Sequence, residues 1–169
     1  MRLGALLAVL VPAHAARAGA ADELSRKPGL WEVKTSIANA TARVVRQCID
    51  AETDQMLQSV AGPFNAGACQ RSDAQHAADA TTIDFKCNVA GKPATAHSVV
   101  TGSLDDAYTM MVTAQSDGLP NGKMVMSMDG KWLGPCAAGQ KPGDVILSNG
   151  IKINILDIEK RSNSAAPPQ

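Results

Sequence analysis

Four cysteines, Cys48, Cys69, Cys87 and Cys136, constrain the folding of this chain more than any other feature. They follow a segment laid out like a secretion signal. Met1 and Arg2 give a short positive start, Leu3 to Val11 are apolar, and Ala13, Ala15, Ala18 and Ala20 supply small residues for cleavage. Export would place the thiols in an oxidising compartment, so two disulfides are expected. Cleavage is expected after Ala15 or Ala20, and the second leaves Asp22 and Glu23 at the start of the mature chain. The apolar run is about half of the ~20 residues that a spanning helix needs. No stable membrane insertion is therefore expected after cleavage. The chain reads as a signal peptide over 1–20, a single domain over 21–161 and a disordered tail over 162–169.

Four cysteines allow three pairings. A hairpin centred near Ala78 would put Cys69 and Cys87 directly across from one another, where opposed Cβ atoms come within ~4.5–5.5 Å, close to what a disulfide requires. Cys48 and Cys136 would then tie early and late parts of the fold. Closing the short loop is worth about 3 kcal/mol and the long one somewhat over 4 kcal/mol in the chain-entropy account. There is no C-x-x-C and no close Cys/His spacing, so a redox or metal role is not supported.

Period-two alternation dominates the rest. Trp31, Val33, Thr35 and Ile37 alternate with polar residues, as do Ile83, Phe85, Cys87 and Val89. Tyr108, Met110, Val112 and Ala114 form a third set, and Met124, Met126 and Met128 a fourth. Such runs are strands with one face inward and one face wet. Further strands are expected over 42–49 and 95–103, although the valine pairs Val44-Val45 and Val99-Val100 leave their facing open. Asn39 is expected in the turn between the first two strands. Asn149-Gly150, flanked by Val145 to Leu147 and by Ile151, Ile153 and Ile155, predicts a hairpin with a type I′ turn. One helix interrupts the strands: Asp50 caps it, Glu52 and Asp54 suit its first turn, and Gly62-Pro63 ends it. The expected fold is mainly β: an antiparallel curved meander or partly closed barrel, with one short helix packed on it and two disulfides.

Composition narrows function mostly by exclusion. Without the first twenty residues, 14 basic side chains face 16 acidic ones, which leaves no electrostatic footprint for nucleic acid. Histidines are scarce after the signal, His76 and His97 alone, and no G-x-S-x-G is present. No catalytic residue, metal site or cofactor is expected. The Met124, Met126 and Met128 face could hold Cu(I) through its thioethers, but a chain this poor in aromatics needs methionine as core filler.

Lys27-Pro28-Gly29-Leu30-Trp31-Glu32, then Gln47-Cys48-Ile49, then Gly130-Lys131-Trp132-Leu133-Gly134-Pro135-Cys136 together resemble the DUF3617 family of secreted bacterial proteins of unknown function. The resemblance implies a periplasmic or secreted location and brings no catalytic residues. Trp31 and Trp132 are expected to pack beside Cys48 and Cys136. The functional expectation is a non-enzymatic envelope domain that binds an apolar small molecule, a lipid or an envelope protein. Met110, Met124, Met126, Met128, Trp31 and Trp132 are its candidate apolar face, either a cavity lining or a packed core. A structural or protein-interaction module without a pocket is the alternative.

Overall fold

The computed structural model describes residues 24–38, 40–60, 68–89 and 91–164. The expected signal segment, the Asn39 turn, the Gly62-Pro63 stop and positions 165–169 of the expected tail lie outside the described residues.

Alternation becomes strands where expected. β1 (Gly29–Ile37) and β2 (Arg43–Ile49) form a hairpin with Val33 opposite Val45. After helix α1 (Ala51–Val60) come β3 (Cys69–His76), β4 (Ala80–Val89), β5 (Lys92–Gly102), β6 (Ala107–Gln115) and β7 (Lys123–Gly134), each pairing antiparallel with the next. Two short strands follow, β8 (Asp144–Ile146) and β9 (Lys152–Asn154), and helix α2 (Ile155–Ser164) closes the described chain. The nine strands of the described residues belong to one open antiparallel sheet, in the order β3-β4-β5-β6-β7-β1-β2-β8-β9.

Burial settles the open facings. Ala94, Ala96, Ser98 and Val100 of β5 are buried, so Val100 points inward and Val99 does not. In β2, Val45 packs against the core. The core itself gathers Trp31, Val33, Ile49, Tyr108 and Val145 from the sheet and Leu57 and Ile155 from the two helices. β3 lies six strand positions from β2 in the sheet, and α1, which follows β2, lies over the inner face, where Leu57 joins the core.

Cys69 and Cys87 face one another across β3 and β4, with Cα atoms 4.0 Å apart, and are bridged as expected. The register near the turn, His76 opposite Thr81, differs from the expected one, and a bulge between Arg71 and Asp73 brings the two cysteines into line. Cys48 and Cys136 form the second disulfide, 88 residues apart in sequence. α1 starts as its sequence suggests: the Asp50 carboxylate accepts from Thr53 N at 2.9 Å, and Thr53 Oγ1 accepts from Asp50 N at 3.0 Å. The bond from the Thr53 backbone, followed by that from Thr53 Oγ1 to the same carboxylate at 2.7 Å, holds the Asp50 carboxyl below its usual range.

Three expectations are corrected. Among the described residues there are two α-helices rather than one. Ile155 begins α2 instead of continuing a strand, because Asn154 accepts from Leu156 N at 3.0 Å and so caps a new helix. As a result Ser162 to Ser164, expected in the tail, lie in that helix. The β8–β9 turn is also not type I′. Gly150 N donates to Leu147 O and only Gly150 takes a positive φ, 81°, so the loop is a three-residue turn ending in a left-handed glycine. Finally, Cys48 stands opposite Leu30 and Trp31 opposite Gln47, so Trp31 and the Cys48 bridge lie on opposite faces of the sheet.

Candidate functional site

The family-like motifs come together around the indoles. Trp31 Nε1 donates to Lys27 O at 2.8 Å, and Trp132 Nε1 donates to Pro28 O at 3.2 Å. Lys27 Nζ sits over the Trp132 ring, 3.9 Å from its centroid. Gly29 between them has φ +137°, and a Cβ there would run into Trp132 and stand 2.5 Å from Gly134 O. The Pro-Gly-Leu-Trp segment is thus shaped to receive the Gly-Lys-Trp-Leu-Gly segment, and Trp31 pairs with Trp132 across β1 and β7. Both tryptophans are satisfied by the fold itself.

Beyond Trp31 the inner face opens. Its ring lies 5.7 Å from Tyr108, fully buried, and Tyr108 in turn lines a cavity of about 670 Å³ between the sheet and the two helices. Val33, Val45, Ile83, Phe85, Met110 and Met128 supply apolar wall from five strands. Val145 and Ile153 extend it, and Leu57, Ile155 and Ile158 cover it from α1 and α2. Arg71 of β3 and Ile153 of β9 come from opposite edges of the sheet and still line the same space. The sheet therefore curls around it. The volume falls within the ~300–1,000 Å³ of small-molecule pockets.

Polar side chains also reach this wall, among them Arg26, Gln47, Gln55, Gln58, Ser59 and Arg71, but most of its surface is apolar and no aspartate or glutamate lines it among the described residues. Arg26 is fixed from behind. Its Nε and Nη2 reach Asp54 Oδ1 at 2.8 and 2.7 Å, its Nη1 donates to Gln47 Oε1 at 2.9 Å, and its backbone N donates to Asp54 Oδ2 at 2.8 Å. Gln58 Nε2 donates to the same Oδ2 at 3.0 Å. Asp54 is 1% exposed and Arg26 7%, so this is a buried pair that pins α1 to β2 and to the chain before β1. Burial raises the Tyr108 phenol above its usual range, so its hydroxyl stays protonated at neutral pH. A second network steadies α2: Asp144 accepts from Asn154 Nδ2 at 2.9 Å and from Lys141 N at 3.1 Å, and Lys152 Nζ stands 3.4 Å away. Burial raises the Asp144 carboxyl, but these donors outweigh it and the net direction is down.

Of the six residues of the expected apolar face, Met110 and Met128 line the cavity and stand opposite one another across β6 and β7. Met126 is buried opposite Val112, Met124 is half-buried opposite Ala114, and Trp31 reaches the cavity only through Tyr108. Trp132 packs against the core near the Lys27 stack. His97 lies on the outer face with Asp84 at 2.8 Å, and His76 is 3.1 Å from Thr81 Oγ1. Among the described residues no three His, Cys, Asp or Glu side chains cluster as a metal site.

Sequence reasoning did not single out Arg26, Tyr108 as a wall residue, or Ser98. Ser98 had a signal: it occupies the inward phase of β5 between Ala96 and Val100, but the adjacent valines hid that phase.

The profile of a family described as proteins of unknown function, DUF3617, matches residues 26–136. The chain belongs to the DUF3617 family. That span runs from Arg26 of the buried pair to Cys136 of the long disulfide, so it takes in the motif segments, the whole meander and most of the cavity wall. In this DUF3617 protein the chain continues past the matched span into β8, β9 and α2, which supply further wall. Neither a curated protein nor a solved structure matches the chain.

Proposed function

We propose that this DUF3617 protein is a non-enzymatic binding domain of the bacterial envelope, periplasmic or secreted, that holds an apolar small molecule or lipid-like chain between its curled sheet and its two helices. The observation that carries the reading is the 670 Å³ cavity with its aliphatic, thioether and aromatic wall. Apolar surface of this kind gains from displacing water by a hydrocarbon ligand. Met110 and Met128 suit such a site because an unbranched thioether adapts to ligands of different shape. The wall also supports a binding role over catalysis: Arg26 is consumed by Asp54 and no histidine, cysteine or carboxylate lines the space among the described residues. Two disulfides, and the absence among the described residues of a helix long and apolar enough to cross a membrane, are compatible with an exported protein.

Native mass spectrometry of the protein purified from periplasm, together with uptake of an environment-sensitive apolar dye, tests this. A co-purifying apolar species, and dye uptake abolished by the cavity-filling Met128→Trp variant, are expected. Protein that emerges empty and takes up no dye would overturn the binding reading and favour an interaction module.

A further inference from the structure

Among the described residues, one buried side-chain polar atom is left without a partner by the fold, and it lies on the inner wall. Ser98 is 2% exposed, lines the cavity, and its Oγ has no hydrogen-bond partner within the structure. The register puts Ile83 of β4 and Val112 of β6 directly beside it, and Ala96 and Val100 flank it on β5. All four are buried and apolar. A buried hydroxyl without an acceptor carries its desolvation cost uncompensated, and native proteins hold few such groups. Alanine would fill the same position without that cost, as it does at Ala94 and Ala96, the two preceding residues of the same inward phase.

We propose that Ser98 Oγ is the polar anchor of the cavity and donates a hydrogen bond to a neutral carbonyl oxygen on an otherwise apolar ligand, which makes the ligand class a carbonyl- or ester-bearing hydrocarbon. This rests on the cavity being an apolar-ligand site and names the chemistry of its occupant. The Oγ is unmet both as donor and as acceptor, and the proton is the valence whose burial without a partner is rarest, so an acceptor is what the site most lacks. Neutrality follows from the surroundings. An ionised carboxylate beside Ile83, Ala96, Val100 and Val112 would lose its hydration for a single neutral donor, a poor exchange for a charge. Of the cationic groups on the wall, Arg26 is taken up by its ion pair with Asp54, and Arg71 stands on the exposed edge strand β3, two strands from Ser98. A ligand in this pose puts its carbonyl at Ser98 and lays its chain along Met110, Met128 and Val33.

The test compares methyl decanoate with tridecane, equal in heavy atoms, as competitors of a bound apolar dye in wild-type protein and in Ser98→Ala. The variant should weaken the ester by about three- to tenfold, the range of one net hydrogen bond. It should leave tridecane within about twofold, and its ligand-free Tm should rise because an unsatisfied hydroxyl has gone. An unchanged ester-to-alkane preference in Ser98→Ala, or a fall in Tm, overturns the anchor while leaving the cavity reading in place. Failure of both competitors on the wild-type protein overturns the two together.

Discussion

Gly130→Ala isolates a single contact on which the geometry of the cavity depends. Gly130 lies in β7 directly opposite Val33 on one side and Tyr108 on the other, and the Tyr108 ring is folded across it. A Cβ at position 130 would overlap Tyr108 Cε1 and stand 2.5 Å from Cζ and 2.8 Å from Cδ1. The ring has little freedom to retreat: Tyr108 is 7% exposed and packed on Trp31. The backbone at Gly130 does not take a positive φ, so alanine itself is tolerated and should even gain about 0.5–1 kcal/mol over glycine in a strand. Overpacking of a tight core costs about 1–3 kcal/mol, and the triple overlap belongs at or above the upper end. The net expectation is a loss of about 2 kcal/mol. With a urea slope of ~2 kcal/mol/M, that moves the midpoint down by about 1 M at unchanged slope. The control is Tyr108→Ala, which should cost about 3–5 kcal/mol on its own through the void it leaves. In that background Gly130→Ala should cost nothing further, because the overlapping ring is absent. A Gly130→Ala variant within 0.5 kcal/mol of wild type, or full additivity in the double variant, would refute the argument that Tyr108 is held in place by the missing side chain.

Two further outcomes follow from the polar networks. Asp54→Ala leaves the Arg26 guanidinium buried without its counter-ion and should cost about 3–5 kcal/mol in denaturant titrations, whereas Arg26→Met combined with Asp54→Leu should recover most of that loss. Asp50 and Asp144 both titrate below the ordinary 3.8, so the unfolded chain binds their protons first and stability should fall as pH drops through about 4 and below, with Asp50→Asn flattening the acid limb of a Tm-versus-pH profile. Tyr108 is shifted the other way. The unfolded chain ionises first above pH 10.0, and stability should decline there.

The strands were legible because alternation survives wherever one face is buried and the other wet, as from Tyr108 to Ala114. The Cys69–Cys87 pair was legible because the two strands form one hairpin, but its register was not. The pairing at the turn, His76 with Thr81, would set Cys69 opposite Asn88, and a bulge between Arg71 and Asp73 that sequence does not display brings it to Cys87. α2 was not, because Ile151, Ile153 and Ile155 continue a strand rhythm. What stops the strand is the Asn154 side chain, which both caps the helix and holds Asp144. Asp157 in the first turn and Arg161 in the last were the available hints. The facing of Trp31 relative to Cys48 depends on the parity of one residue in a register that sequence does not display. The cavity was least legible of all. Its wall is drawn from nearly every element, and whether Met110 and Met128 touch solvent-sized space or solid packing is decided by how far the sheet curls, a property of no local segment.

The position of β1 has a consequence for how the molecule is assembled. β3 to β7 are consecutive hairpins, each able to zip from its own turn, and β1 with β2 makes another. The seam between these two ribbons is β1 against β7, where Trp31 meets Trp132 across about a hundred residues of chain. Non-local pairing of this kind forms late, because the loop must close before any contact rewards it. Cys69–Cys87 lies within one ribbon and can oxidise early. Cys48–Cys136 spans the seam and can form only once the ribbons have met. A chain so arranged remains two separable halves until β7 has been made and delivered, and the second bridge then records that the join has taken place.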